Sequence, residues 1–68
     1  MANKTAGEKL KSLRQARNLS VESVCDSVFI SKSSLRKYET NNRTPRDDVK
    51  RRLADFYGTT IGDIFFDD

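Results

Sequence analysis

The chain of 68 residues has no histidine and a single cysteine, Cys25. One cysteine excludes an intrachain disulfide, and without histidine a zinc site would have to be assembled from carboxylates, so neither a staple nor a bound metal is expected. No apolar run approaches the length of a membrane span, and the first residues, MANKTAGEK, lack the hydrophobic stretch of a signal peptide. The expected place is therefore the cytosol, where Cys25 stays a free thiol. No histidine or other base can be assigned to activate Cys25, Asp47-Asp48 reads as charge at a helix start, and Asp67-Asp68 reads as a solvated tail. No enzyme activity and no cofactor are expected. A chain this short lies near the lower limit for a single apolar core, so core area is scarce.

What is present is a series of short helical patterns with clear punctuation and no strand signal, internal repeat or linker. Thr5-Ala-Gly-Glu8 has the spacing of a capping box, and Ala6, Leu10 and Leu13 follow at i, i+4 and i+7. This first helix is expected to end near Arg17-Asn18. Ser20 is the next N-cap, followed by Val21, Val24, Cys25 and Val28 on one face; three of these are β-branched, so packing rather than propensity must hold the second helix. Phe29-Ile30 makes a turn, Ser31 caps a third helix over about Lys32 to Thr40, and Asn41, tolerant of the left-handed conformation, stops it. Thr44-Pro45 predicts a fourth helix with Thr44 as cap and Pro45 in its first position. Val49, Leu53, Phe56 and Tyr57 form its apolar face and Gly58 its stop. Thr60 caps a last turn in which Ile61, Ile64 and Phe65 seal the core. The expectation is a single all-α domain of five helices over 1–68, with flexible ends at 1–4 and 67–68.

Charge is unevenly placed. The net charge is only +3, but Ser31 to Arg46 carries five cations (Lys32, Arg36, Lys37, Arg43 and Arg46) against one acid, Glu39. The last six residues hold Asp63, Asp67 and Asp68 with no base. The third helix thus bears Lys32, Arg36 and Lys37 on one side and Leu35 and Tyr38 on the other. A helix anchored by its apolar side with cations facing outward is suited to enter a DNA groove, so Leu19 to Asn41 reads as a helix-turn-helix.

The ordered set Leu10-Lys-Ser-Leu-Arg14, Arg17-Asn-Leu-Ser20, Ile30-Ser31 with Leu35, Tyr38 and Glu39, Asn41-Asn-Arg-Thr-Pro45, and Leu53-Ala-Asp-Phe-Tyr-Gly58 running into Ile61 and Ile64-Phe65 resembles the lambda-repressor-like, Cro-type (XRE-like) helix-turn-helix family. The resemblance covers about Lys9 to Phe65. It implies a compact fold of five helices with the helix-turn-helix at about 21–40, the third helix as recognition helix, and a regulator of phage or mobile-element type in a bacterial cytoplasm. By the same resemblance Lys32, Ser33 and Lys37 lie where base edges are read, and Arg36 lies near the backbone or the groove wall, from where it can serve phosphate or bases. Lysine donates to guanine O6 and N7, and serine can donate or accept at several bases. Ser33 can equally serve local capping. Arg43, with Lys9 or Arg17, is a candidate for phosphate contacts that set register. The resemblance further implies an ion pair between Arg14 and Glu39, tying the first helix to the third.

The chain departs from the family in two places. Val21 stands where a phosphate-binding glutamine is usual, and Phe29 stands in the turn where a small residue, commonly glycine, is usual. Phe29 can fold back onto the core, or it can be exposed and join Val21 in an apolar patch beside the basic helix. Two functions are therefore expected to compete. One is a regulator of the Cro or repressor kind that binds double-stranded operator DNA, as two copies on a palindromic site or with help from a larger assembly, any homodimer using the last helix and Phe66. The other is an antirepressor that turns Val21, Phe29, Lys32 and Arg36 toward a partner repressor protein.

Overall fold

A computed structural model describes residues 4–66; of the ends expected to be flexible, 1–4 and 67–68, all but Lys4 lie outside the described residues. Five helices follow one another: α1 (Ala6–Ala16), α2 (Val21–Val28), α3 (Lys32–Glu39), α4 (Asp47–Tyr57) and α5 (Ile61–Phe65), with no strand among the described residues. The all-helical expectation holds.

Each start but one is made by a side-chain oxygen that accepts from an otherwise unsatisfied amide. Thr5 accepts from the Glu8 amide (3.2 Å) while the Thr5 amide donates to Glu8 Oε1 (3.1 Å), completing the capping box. That hydrogen bonding holds the exposed Glu8 carboxyl below its usual pKa. Ser20, Ser31 and Thr60 accept from the amides of Ser23, Ser34 and Asp63 at 3.0, 3.1 and 3.0 Å. The exception is α4, which corrects the sequence reading. Its cap position is Arg46, with no side-chain cap hydrogen bond, and neither Thr44 nor Pro45 starts the helix. Pro45 is buried and Arg46 is extended at ψ 163°. The proline thus packs inward before the helix begins, and Asp47 and Asp48 stabilise the uncapped first turn through their charge.

The helix ends share one solution. Among the described residues four have positive φ, Asn18, Phe29, Asn41 and Gly58, and each stands just past the end of one of the first four helices. In α1 the amides of Asn18 and Leu19 return to the carbonyls of Gln15 and Arg14, and in α3 those of Asn41 and Asn42 return to Tyr38 and Lys37. The amides of Gly58 and Thr59 return likewise to Asp55 and Ala54. These are Schellman closures, which satisfy orphan carbonyls and favour glycine or asparagine at the left-handed position. At α2 that position is filled by Phe29 (φ 60°), and the Ile30 amide donates to the Cys25 carbonyl (3.2 Å).

The core takes Leu10 from α1, Val24, Cys25 and Val28 from α2, Leu35 and Tyr38 from α3, Val49, Leu53, Ala54 and Tyr57 from α4 and Ile64 from α5. Val21, Phe56 and Phe65 pack against it half-buried. Helix α3 rests on α1 and α2, α2 rests on α4, and α5 bridges α1 and α4. Tyr57 is buried with no hydrogen-bond partner for its hydroxyl among the described residues, and burial pushes its phenol up to about 12. Burial also pushes the Cys25 thiol up, which disfavours its thiolate form.

Close approach between α1 and α3 depends on Gly7. A Cβ there would meet the Tyr38 carbonyl at 2.5 Å, the Glu39 carbonyl at 2.7 Å and Asn41 Oδ1 at 2.8 Å, all well inside contact distance. Gly to Ala within a helix ordinarily gains about 1 kcal/mol. Here the clash with backbone reverses the sign, and Gly7→Ala should destabilise the domain by about 2 kcal/mol. The check is a thermal melt, in which the midpoint should fall by roughly 10 °C; an unchanged or raised midpoint refutes the close approach.

Candidate nucleic-acid interface

The face of α3 opposite Leu35, Tyr38 and Glu39 is exposed along its whole length. Lys32, Ser33, Arg36 and Lys37 fall on it at i, i+1, i+4 and i+5, and together with Thr40 and Asn42 they line one open depression. The stripe is cationic from its first turn to its last. Arg36 and Lys37 stand in the final turn, where the helix macrodipole favours positive charge. Thr40 and Asn42 were not singled out by the sequence, although Thr40 continues the helical period one turn beyond Arg36. The Thr40 hydroxyl donates to the Arg36 carbonyl (2.8 Å) and accepts from Asn42 Nδ2 (2.9 Å), so the end of the stripe is a hydrogen-bonded cap.

What fixes this stripe in space is the junction with α1. Arg14 Nε donates to Glu39 Oε2 (2.8 Å) and Arg14 Nη2 to Glu39 Oε1 (3.0 Å), a two-point pair whose side chains are only 14% and 6% exposed. Arg14 Nη1 also donates to the carbonyl of Leu19, in the turn between α1 and α2 (3.2 Å). The Glu39 carboxylate holds the Arg14 guanidinium protonated above its usual range. At the other end of α1, the Gly7 amide donates to Asn41 Oδ1 (3.0 Å) and Asn41 Nδ2 donates to Thr5 Oγ1 (2.8 Å). One residue thus stops α3 and helps cap α1.

The remaining candidates are dispersed. Arg43 is exposed in the loop after α3, close to the stripe in sequence, and lines a separate depression with Ser34, Tyr38, Thr44 and Arg46. Arg17 and Lys9 do not join it. Arg17 Nη2 donates to the Tyr57 carbonyl (2.6 Å) with its guanidinium 5.3 Å from the Tyr57 ring centre, so its fork satisfies the end of α4. Lys9 lines a groove between α1 and α5 with Leu13, Asp63 and Ile64. Lys32 Nζ lies 3.3 Å from Glu22 Oε1 of α2, an acid the sequence reading passed over.

Val21 is half-buried against the core, whereas Phe29 is 80% exposed. The alternative in which this ring folds inward is thereby ruled out. Arg52 of α4 supports the turn that carries it, donating from Nη1 to the Val28 carbonyl (2.9 Å) and from Nη2 to Asp48 (2.8 Å). Phe66 is also exposed, at 57%, and Lys50 Nζ lies 5.5 Å from the ring centres of both Phe65 and Phe66. No cluster of metal-ligating side chains occurs among the described residues, and no helix there is long and apolar enough to cross a membrane.

Comparison with known proteins agrees with this geometry. A family described as "Helix-turn-helix domain" matches residues 5–63. The chain is 30% identical over 59 residues to the cryptic phage CTXphi transcriptional repressor RstR of Vibrio cholerae, covering 87% of this chain and 53% of that protein. It is 26% identical over 57 residues to the HTH-type transcriptional activator BcrR of Enterococcus faecalis, covering 84% of this chain and 28% of that one. It therefore spans about half the length of the repressor and just over a quarter of the activator.

Removing one partner of the Arg14–Glu39 pair leaves a buried charge unpaired, which costs about 3 kcal/mol. Glu39→Gln should accordingly unfold at distinctly lower denaturant than the parent. Equal midpoints would mean that the pair does not hold the two helices together.

Proposed function

Because the chain belongs to the helix-turn-helix domain family, we propose that it is a DNA-binding transcriptional regulator that lays α3 in the major groove of double-stranded DNA. The observation that carries this reading is the exposed stripe Lys32, Ser33, Arg36 and Lys37 on a helix whose inner face is locked to α1. Lys32 and Ser33 at the start of α3 and Lys37 one turn later read base edges, and Arg36 serves bases or groove wall. Arg43 contacts phosphate and sets register. Arg17 and Lys9, turned toward α4 and α5, contribute to the surrounding field more than to the contact itself. A regulatory role in transcription is supported by the two relatives, one a repressor and one an activator. A module this small buries limited DNA surface, so two copies on a palindromic operator are required for tight binding, with α5 and exposed Phe66 as their contact. Such a regulator works in the cytoplasm of a bacterial cell.

Substitutions separate the two kinds of contact. Lys37→Ala should change the preferred base pair at one position as well as affinity, by about 1–3 kcal/mol against the wrong base. Arg43→Ala should weaken binding to all sequences alike and flatten the plot of log affinity against log salt by about one unit. Site selection from a random pool, together with a salt series on random duplex, reads both. The assignments are reversed if Arg43→Ala shifts preference and Lys37→Ala does not.

One observation favours a second reading, in which the surface binds a partner repressor protein. Phe29 is exposed at a left-handed position where glycine would be unstrained, so the chain keeps a large aromatic at a conformational cost. Phe29→Gly should therefore stabilise the domain by about 1 kcal/mol. If the ring serves a protein partner, the same variant loses about 2 kcal/mol of affinity for it while random-DNA binding is untouched. A stabilised variant that regulates as before removes the antirepressor reading.

A further inference from the structure

Lys32 occupies an electrostatically poor position. It is the first residue of α3, where the macrodipole disfavours a cation, and the first turn of α3 contains no acid to offset it. The offset comes from the neighbouring helix. Glu22, in the first turn of α2 where the dipole favours an acid, places Oε1 3.3 Å from Lys32 Nζ, with both side chains more than half exposed. Arg36 and Lys37 have no such ion pair among the described residues. Helix α2 reads VESVCDSV, with Asp26 one turn beyond Glu22 and no base at all. Val21 beside Glu22 offers no side-chain donor. The start of α2 thus carries an acid and, at Val21, no side-chain donor for phosphate, and its acid draws the leading cation of the stripe to itself.

We propose that Glu22 is a specificity-determining residue that acts through Lys32; the inference rests on the DNA-reading function above. While paired, Lys32 and Glu22 carry no net charge, so docking them on backbone neutralises no additional phosphate and releases no additional counterion. Leaving a carboxylate for a phosphate oxygen exchanges one anion for another and gains little at an exposed site. Leaving it for guanine is different, because O6 and N7 present two fixed acceptors to one ammonium. Glu22 therefore suppresses the sequence-independent part of Lys32's contribution and leaves the base-dependent part. It positions and restrains the lysine without itself reading a base.

The test uses the full chain, random-sequence duplex and a salt series for four proteins: the parent, Glu22→Gln, Lys32→Ala and the double variant. Both side chains lie at the surface, and a thermal melt on each protein confirms folding. Glu22→Gln should steepen the slope of log affinity against log salt by about 0.9, one phosphate's worth. It should also tighten random-DNA binding about threefold at low salt, the scale of an exposed ion pair. Lys32→Ala should leave the parent slope nearly unchanged, yet remove the added 0.9 when combined with Glu22→Gln. The ratio of affinities for a duplex selected by the parent and for random duplex should fall about threefold in Glu22→Gln. A slope unchanged by Glu22→Gln, or lowered equally by Lys32→Ala in both backgrounds, overturns the restraint while leaving DNA binding intact. A parent protein that binds no duplex even at low salt overturns the DNA reading and this inference with it.

Discussion

Everything the outer face of α3 does depends on how its inner face is held by α1. A helix of eight residues has negligible stability of its own, and α3 contributes only two large apolar side chains, Leu35 and Tyr38, to the core. Apolar burial would keep such a helix attached, but it is non-directional and fixes rotation about the axis weakly. The Arg14–Glu39 pair supplies direction. Two parallel hydrogen bonds to a planar guanidinium allow one orientation of Glu39, and hence one orientation of the stripe on the opposite side of the helix. The second tie, through Asn41 and Gly7, holds the same C-terminal end of α3 from the other end of α1 and sets how closely the helices approach. With little core area available, the domain uses buried polar geometry for alignment and apolar packing for adhesion.

The helix ends explain how so short a chain turns four times without long loops. Three of the four left-handed positions are occupied by asparagine or glycine, the residues for which that conformation costs least. Phe29 breaks the series. It adds no burial, since the ring stands in solvent, and Arg52 holds the carbonyls of the turn from the α4 side. Strain retained where it contributes nothing to the core is expected at a functional surface, and this turn leads directly into the first residues of α3.

Local features were legible in the residues themselves, whereas of the long-range contacts only the Arg14–Glu39 pair was anticipated, and that through the family resemblance. Thr5, Ser20, Ser31 and Thr60 cap because hydroxyl, spacing and following pattern are all contained within four residues, and Asn18, Asn41 and Gly58 stop helices for equally local reasons. Thr44-Pro45 misled because the same local signal competes with burial of the proline ring, which draws the chain inward and delays α4 to Asp47. The double role of Asn41 could not be read, since its partners Gly7 and Thr5 are 34 and 36 residues away. The stripe on α3 was legible from helical period alone, whereas Arg17 and Lys9 shared only its charge. Their placement depends on the packing of α1 against α4 and α5, and there Arg17 finds the Tyr57 carbonyl. The exposure of Phe29 was likewise undecided until the turn's backbone was known.

The same division accounts for how modest net charge and a strongly cationic helix coexist. Overall charge sets the long-range attraction to a polyanion, and at +3 that attraction is small. The chain concentrates cations on α3 and the following loop while α2, the other half of the helix-turn-helix, carries acids only. A uniformly basic motif would bind any duplex through its phosphates, and the many sites of a genome would then compete with the intended one. If α3 reads bases as proposed, an acidic helix set beside it lowers that background without removing any donor on the exposed stripe. On that reading, selectivity arises from where charge is withheld as well as from where it is placed.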